Sequence, residues 1–444
     1  MASRTFAVRA LLASALALPS LVMATSQTPT LTADERAIAA YVDAHNDEAL
    51  ALLERVVNIN SGTMNLAGVQ EVGRVFRAEL ERLDFKTQWI DQSGVQRAGH
   101  LIAEHPGTGP KILLIGHLDT VFETDNAFQN FQRIDAKTAK GPGITDMKGG
   151  DVVMLQALRA LDAAGLLKTM NVVVALMGDE EEPGHPRTLA REALIQAARG
   201  AEVAIGFENG DGDPQHAVTA RRGTASWELR VTAKSGHSSQ VFSADLGAGA
   251  VFEAARILNA FRERLSTEPH LTFNPGLVVG GNTAEADAIQ VRGSAAGKTN
   301  IVAAEARVLG DLRALTNDQF AKAKQAMQAI VAASLPHATS TIVFVEGYPP
   351  LAPTDENARL LALYDQASRD LGFPPVTAVS PDRAGAADVS WVAGHAKMIL
   401  DAVGLKGHSD HSPNETADLT ALPMQTKRAA VLLARLARGG ATAR

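Results

Sequence analysis

Three short apolar runs in this 444-residue chain each end on side chains that bind metals. Lys111-Ile-Leu-Leu-Ile-Gly-His117-Leu-Asp119 ends in His-x-Asp. Asn171 to Met177 runs into Gly178-Asp179-Glu180-Glu181-Glu182, and Glu202 to Phe207 ends in Glu208. Taken singly, a histidine at a strand end is more often a hydrogen-bonded structural residue, and an acidic triplet more often a solvated loop or helix start. Recurrence at three successive ends reverses those odds, because open α/β sheets place ligands beyond the carboxyl ends of their strands. A fourth segment, Gly141-Pro-Gly-Ile-Thr-Asp146-Met-Lys-Gly-Gly150, precedes a helical stretch. Asp146 could cap that helix. A plain cap, however, does not need Gly141, Gly143, Gly149 and Gly150 around it, whereas a tight backbone that pushes one carboxylate into a crowded site does. Its two oxygens can bridge two cations, and cations about 3.5–4 Å apart hold a water between them and deprotonate it near neutral pH. The fifth segment, Gly407-His408-Ser409-Asp410-His411-Ser-Pro-Asn-Glu415, offers a second imidazole from His408 or His411. The chain has no Cys, so disulfides, thiolate ligands and cysteine nucleophiles are excluded. Any metal must be held by His, Asp and Glu.

The apolar runs Lys111 to Ile115, Asn171 to Met177, Glu202 to Phe207 and Lys397 to Asp401 are unbroken rather than alternating. That pattern predicts strands covered on both faces. Helical spacing over Asp151 to Leu161 and Thr188 to Ala198 lies between them, and a solvated helix is predicted over Asp34 to Asn58. The result is an α/β sheet with helices on both sides. The middle of the chain differs. Ala225 to Ala233 alternates with Trp227, Leu229 and Val231 on one face, and Glu305 to Leu312 alternates as well. With helices over Ala248 to Leu265 and Asp318 to Ala333, and strands at Gly276 to Val279 and Ser340 to Val345, the order is β-α-β-β-α-β, a ferredoxin-like split unit. The chain therefore divides into residues 25–220 and 346–444 of one α/β domain, interrupted by an insertion at 221–345. Ahead of these, Arg4 and Arg9, the apolar run Ala10 to Leu18 and the small residues around Ala24 predict a leader, residues 1–24, cleaved after Ala24. The mature protein would be exported, periplasmic or secreted, and would not be membrane-bound. Its formal balance of 42 basic and 49 acidic residues, with no basic run interleaved with aromatics, excludes a nucleic-acid surface.

Gly116-His117-Leu118-Asp119-Thr120-Val121, the Gly141–Gly150 stretch, Asp179-Glu180-Glu181 and His411-Ser-Pro-Asn-Glu415 occur in the order and spacing of a metallopeptidase family. The chain resembles acetylornithine deacetylase, succinyl-diaminopimelate desuccinylase, aminoacylase and bacterial glutamate carboxypeptidase over its whole mature length. The extended glycine stretch and the leader are most similar to the glutamate carboxypeptidase branch. The resemblance implies a hydrolase-like zinc-peptidase domain of the phosphorylase/hydrolase type with a mixed sheet, and an α+β lid that also dimerises. It also implies two Zn2+ per subunit, with Co2+ or Mn2+ as alternatives, and a cis Asp146–Met147 peptide. His117 and Glu208 would bind one ion and Glu181 and His411 the other, with Asp146 bridging. Asp119 would orient His117, Glu180 would be the general base, and His237 of Ser235-Gly-His-Ser238 would stabilise the oxyanion. Glu182 and His408 are the less favoured alternatives to Glu181 and His411. Asn300 and Arg313 would hold the substrate carboxylate, although a strand-end ion pair is the structural alternative for Arg313. Glu346-Gly-Tyr348 stands where that branch has a basic residue, so Arg221 and Arg222 are considered as a substitute source of charge.

The expected reaction is hydrolysis of an amide bond in an N-acyl or peptidyl amino acid by a carboxypeptidase, with glutamate as one candidate leaving residue. An N-acyl-amino-acid deacylase or dipeptidase of the same family is the near alternative. A periplasmic solute-binding protein is the alternative from another class, but it would have no use for His and acidic side chains at successive strand ends.

Overall fold

The computed structural model describes residues 31–439, so the expected leader at 1–24 lies outside the described residues. Across its width, a six-stranded sheet runs Lys86–Gln92, Arg97–His105, Asn171–Met177, Lys111–His117, Ala201–Gly206 and Ala396–Leu400. The last four are mutually parallel, and the first two are antiparallel to their neighbours. Lys111 lies opposite Asn171 and His117 opposite Met177, while Ile115 pairs with Gly206. All the carboxyl ends predicted to carry chemistry therefore finish level on one edge.

Burial explains why the parallel strands read as unbroken apolar runs. Ile112, Leu114, Val172, Val174, Val203 and Ile205 face one core, shared with helices that include Lys148–Ala163 and Ala421–Ala437. Leu113, Ile115, Val173, Ala175, Met177 and Ala204 face another, closed by Leu194, Val389 and Val392. At roughly 1.5–3 kcal/mol per buried large side chain, neither face tolerates a polar residue until the strand leaves the core. That exit is where His117, Glu180 and Glu208 stand.

A four-stranded antiparallel sheet lies within residues 223–346, in the order Thr272–Gly281, Glu305–Ala314, Gly223–Ala233, Ala338–Glu346. This is the ferredoxin-like order. Helices Ala250–Leu265 and Asn317–Ala332 cover one face, and Trp227, Leu229, Val231, Ile257, Phe261, Val308 and Met327 fill the core between them. The two connecting segments pair with each other: Arg221 and Leu351 exchange backbone hydrogen bonds of 2.9 and 3.0 Å, and Thr224 N–H donates to the Tyr348 carbonyl (2.9 Å).

Three features differ from the sequence expectations. The helix expected over Asp34 to Asn58 is two helices, Ala33–Ala44 and Asn46–Val57, because His45 (φ −115°, ψ 18°) leaves the helical region and stacks on Tyr41. Nor is the segment solvated, since Ile38, Val42, Leu53, Val56 and Val57 are buried. The edge strands Lys86–Gln92 and Arg97–His105 and the hairpin Thr283–Asp287/Arg292–Ala296 were not anticipated. Lys86–Gln92 has only two apolar residues, and its one buried position is Gln92, so it carries no buried-strand signal. Among the described residues, no helix is long and apolar enough to cross a membrane.

Candidate metal centre

Two clusters of potential ligand atoms share one carboxylate. His117, Asp146 and Glu208 form the first and Asp146, Glu181 and His411 the second, with the ligand atoms of each within 4.8 Å of one another. Asp146 divides its oxygens between them: Oδ1 lies 3.1 Å from His117 Nε2, and Oδ2 lies 3.0 Å from His411 Nε2. Glu208 Oε1 stands 3.6 Å from His117 Nε2, and Glu181 Oε2 3.1 Å from His411 Nε2.

The loop that presents Asp146 is held from below. Glu415 is fully buried, and its carboxylate accepts hydrogen bonds from Gly143 N–H (2.9 Å), Thr145 N–H (2.8 Å), Asp146 N–H (3.1 Å) and Thr145 Oγ1 (3.0 Å). Gly143 has φ +68°, a left-handed turn that favours glycine. A Cβ on Gly150 would meet the Phe207 carbonyl at 1.9 Å, so only glycine lets helix Lys148–Ala163 sit against the strand end that carries Glu208. The helix has no side-chain cap, which rules out capping as the role of Asp146, and the Asp146–Met147 peptide is cis.

Asp119 does more than the expected orientation of His117. The His117 ring contacts the Asp119 carbonyl through Nδ1 (3.0 Å), while the nearer carboxylate oxygen is 3.5 Å away. That carboxylate accepts the N–H groups of Glu180 (3.0 Å) and Glu181 (3.1 Å) and the Thr63 hydroxyl (2.6 Å). It therefore joins the first strand end to the second. Glu182 is excluded from the cluster, because it points outward to Arg97. His408 is exposed on the short strand Gly407–His408 and belongs to neither cluster.

The electrostatics of the two clusters favour cations. Burial pushes Glu180 and Glu208 well above the usual carboxylate range and lifts Glu181 to about 7. Asp146 is held well below that range despite its burial, because His117 and His411 hydrogen-bond to it. Hydrogen bonds to Asp146 and Glu181 raise His411 to about 11. Four carboxyl groups thus crowd two imidazoles in a buried space. Glu181 Oε1 is also buried without a hydrogen-bond partner. An all-oxygen-and-imidazole donor set with an orphaned carboxylate oxygen fits divalent cations of the zinc type.

The remaining predicted residues lie on the insertion. His237 is exposed, and its Nδ1 lies 2.9 Å from Ser239 Oγ in its own loop rather than against the cluster. Asn300 adjoins it, its carbonyl accepting the Ser238 N–H. Arg313 lies on a different part of the sheet, ion-paired with Asp311 (3.0 Å). Arg221 and Arg222 are buried and do not supply free charge. Arg221 pairs with Asp401 (2.7 Å), and Arg222 bonds Thr272 and the Asp382 carbonyl. Glu415, Thr63 and Asp401 were not assigned roles from sequence. Glu415 alone carried a signal, as the last residue of a quoted motif.

Residues 113–436 match the family model described as Peptidase family M20/M25/M40. Carboxypeptidase G2 of Pseudomonas sp. (strain RS-16) is 26% identical over 394 residues, covering 87% of this chain and 89% of that protein. Among solved structures, the aminopeptidase PepT of Bacillus cereus ATCC 10987 superposes with a TM-score of 0.71 at 20% identity, covering 88% of this chain and 99% of its own. The metallo-carboxypeptidase Sso-CP2 of Sulfolobus solfataricus gives 0.64 at 17% identity, covering 88% and 100%.

Proposed function

The chain belongs to peptidase family M20/M25/M40, a family of metal-dependent hydrolases of amide bonds, and from that premise we propose a co-catalytic two-zinc carboxypeptidase. Family membership removes the solute-binding alternative. The observation that carries the proposal is the division of the Asp146 oxygens between two clusters, each completed by one His and one Glu. His117, Asp146 and Glu208 would hold one ion and Asp146, Glu181 and His411 the other. When bound, such a pair supplies Lewis acidity to the scissile carbonyl and lowers the pKa of a water.

The chain's own residues do the rest. Glu180 is the general base. Its main chain is fixed by Asp119, and among the described residues no donor engages its carboxylate, which leaves it free to take a proton from the attacking water. It then returns that proton to the leaving amine. Its burial-raised pKa suits both steps. His237, which lies away from the cluster of its own chain, would reach the oxygen that becomes negative from the partner subunit; Asn300 beside it would receive the substrate carboxylate, and Arg313 would have to leave Asp311 to join it. The substrate is an N-acyl or peptidyl amino acid, glutamate being one candidate for the released residue. The pairing of Arg313 with Asp311 favours a second reading, an N-acyl-amino-acid deacylase or dipeptidase with weaker demand for a second carboxylate. The working form is an exported homodimer.

The test is a hydrolysis screen of the zinc-loaded protein over N-benzoyl and N-acetyl amino acids and dipeptides, run beside Glu180→Gln. Glu180→Gln should retain metal while turnover falls by about 10²–10⁴-fold. Loss of metal in Glu180→Gln but not in Glu181→Gln would show that the two roles are exchanged.

A further inference from the structure

Glu180 is gripped through both halves of its main chain. Its N–H donates to Asp119, and its carbonyl accepts a hydrogen bond from the Tyr348 hydroxyl at 2.9 Å. The hydroxyl oxygen in turn accepts Arg191 Nη2 at 3.1 Å. Arg191 is completely buried and otherwise committed. Nη1 meets Asp179 Oδ1 at 2.5 Å, Nη2 the Asp179 carbonyl at 3.0 Å, and Nε meets Asp388 Oδ1 at 2.6 Å. A guanidinium so placed cannot shift without leaving buried charge unpaired, so it acts as a fixed post.

Tyr348 is also anchored where the chain returns from the four-stranded unit. Its N–H donates to Thr224 Oγ1 (3.0 Å) and its carbonyl accepts the Thr224 N–H (2.9 Å). Its ring packs edge-on against Trp391 at 5.9 Å. A single side chain thus links the post, the peptide carrying the base, and the junction of the insertion with the main sheet.

We propose that Tyr348 is a positioning residue for Glu180, its hydroxyl relaying the fixed Arg191 to the main chain that aims the base. The inference rests on Glu180 being the general base. A catalytic group displaced by about an ångström can lose about 10²-fold in rate, and Tyr348→Phe deletes only the hydroxyl, with its two hydrogen bonds to Glu180 and Arg191, while keeping the ring on Trp391.

The test is a double-mutant cycle in the zinc-loaded full chain, using the N-benzoyl amino acid that is hydrolysed fastest and measuring zinc per subunit alongside. Tyr348→Phe should lower kcat by about tenfold to a hundredfold, with KM within about threefold and zinc unchanged. In the Glu180→Gln background the same substitution should change the residual rate by less than about twofold, since there is no base left to aim. Wild-type kcat in Tyr348→Phe, loss of zinc, or an equal loss in both backgrounds overturns the inference. An equal loss is also what a folding defect would produce. If Glu180→Gln itself kept full turnover, the base assignment would fall first and take this inference with it.

Discussion

Replacing Glu415 by alanine should loosen the metal centre without touching a ligand. In the structure one fully buried carboxylate satisfies three backbone N–H groups and one hydroxyl of the loop 143–146. Glu415→Ala leaves all four donors facing a small void. Each unsatisfied buried donor costs about 1–3 kcal/mol. The Thr145 hydroxyl can rotate, and a water entering the vacated space can accept from one or two N–H groups. One or two donors remain, so a net loss of about 1–6 kcal/mol follows, and Glu415→Gln, which keeps an oxygen but turns an NH2 toward one donor, should lose about 1–3 kcal/mol. Urea unfolding of the chelated protein measures this directly. Zinc affinity should fall as well, by about 10²-fold if some 3 kcal/mol of loop ordering is transferred to the binding step. Chelator competition reads that value. An unchanged unfolding midpoint together with wild-type zinc affinity would refute the idea that Glu415 builds the loop that presents Asp146.

Other substitutions probe separate parts of the site. His411→Ala should lose metal from one site while His408→Ala retains both ions, and the reverse by atomic absorption would exchange their roles. His237→Ala should lower kcat by about 10²–10³-fold with metal intact. If its imidazole serves the partner's site, mixing these chains with Glu180→Gln chains should restore activity; mixed dimers that stay inactive place each site within one subunit. At the N-terminal helix, burial alone would raise the Glu35 carboxyl, but hydrogen bonds from Arg435 and Thr32 N–H hold it below its ordinary value. A depressed carboxyl stabilises above its unfolded pKa and stops doing so as pH falls through the folded one. Glu35→Gln should therefore cost about 1 kcal/mol near pH 7, and that cost should shrink as pH falls below the ordinary carboxyl range, as measured by urea midpoints.

What could be read in the sequence is what a periodic or local pattern carries. The four parallel strands are legible because both of their faces are buried, and the candidate ligands stand out because they begin where the apolar runs stop. The alternation of Trp227, Leu229 and Val231 marked the one-sided sheet for the same reason. Lys86–Gln92 escaped notice as an edge strand without a buried face. The break at His45 escaped because the apolar spacing continues across it. Arg221 and Arg222 were misjudged for a different reason. Their partners Asp401, Thr272 and Asp382 are 50 to 180 residues away, and nothing local distinguishes a buried paired arginine from one aimed at substrate.

The buried carboxylates outside the two clusters explain why the cluster geometry holds together. Several of the segments that present the clusters have main-chain N–H groups accepted by a second, buried acid. Asp119 takes those of Glu180 and Glu181, Asp179 takes Gly184, Asp401 faces Glu208 and Ala402, and Glu415 takes the Asp146 loop. Each acid is long-range in sequence from at least part of what it holds, except Asp179. Two of them are neutralised by buried arginines, Asp179 by Arg191 and Asp401 by Arg221, whereas Asp119 and Glu415 face the centre without one. Asp119 and Glu415 have the buried Lys148 as their nearby cation and touch the clusters directly, Asp119 at His117 and Glu415 at the Asp146 N–H. On that division, neutralising Asp119 or Glu415 should weaken metal binding more than neutralising Asp179 or Asp401. The latter two should show first in stability, because each leaves a buried guanidinium unpaired.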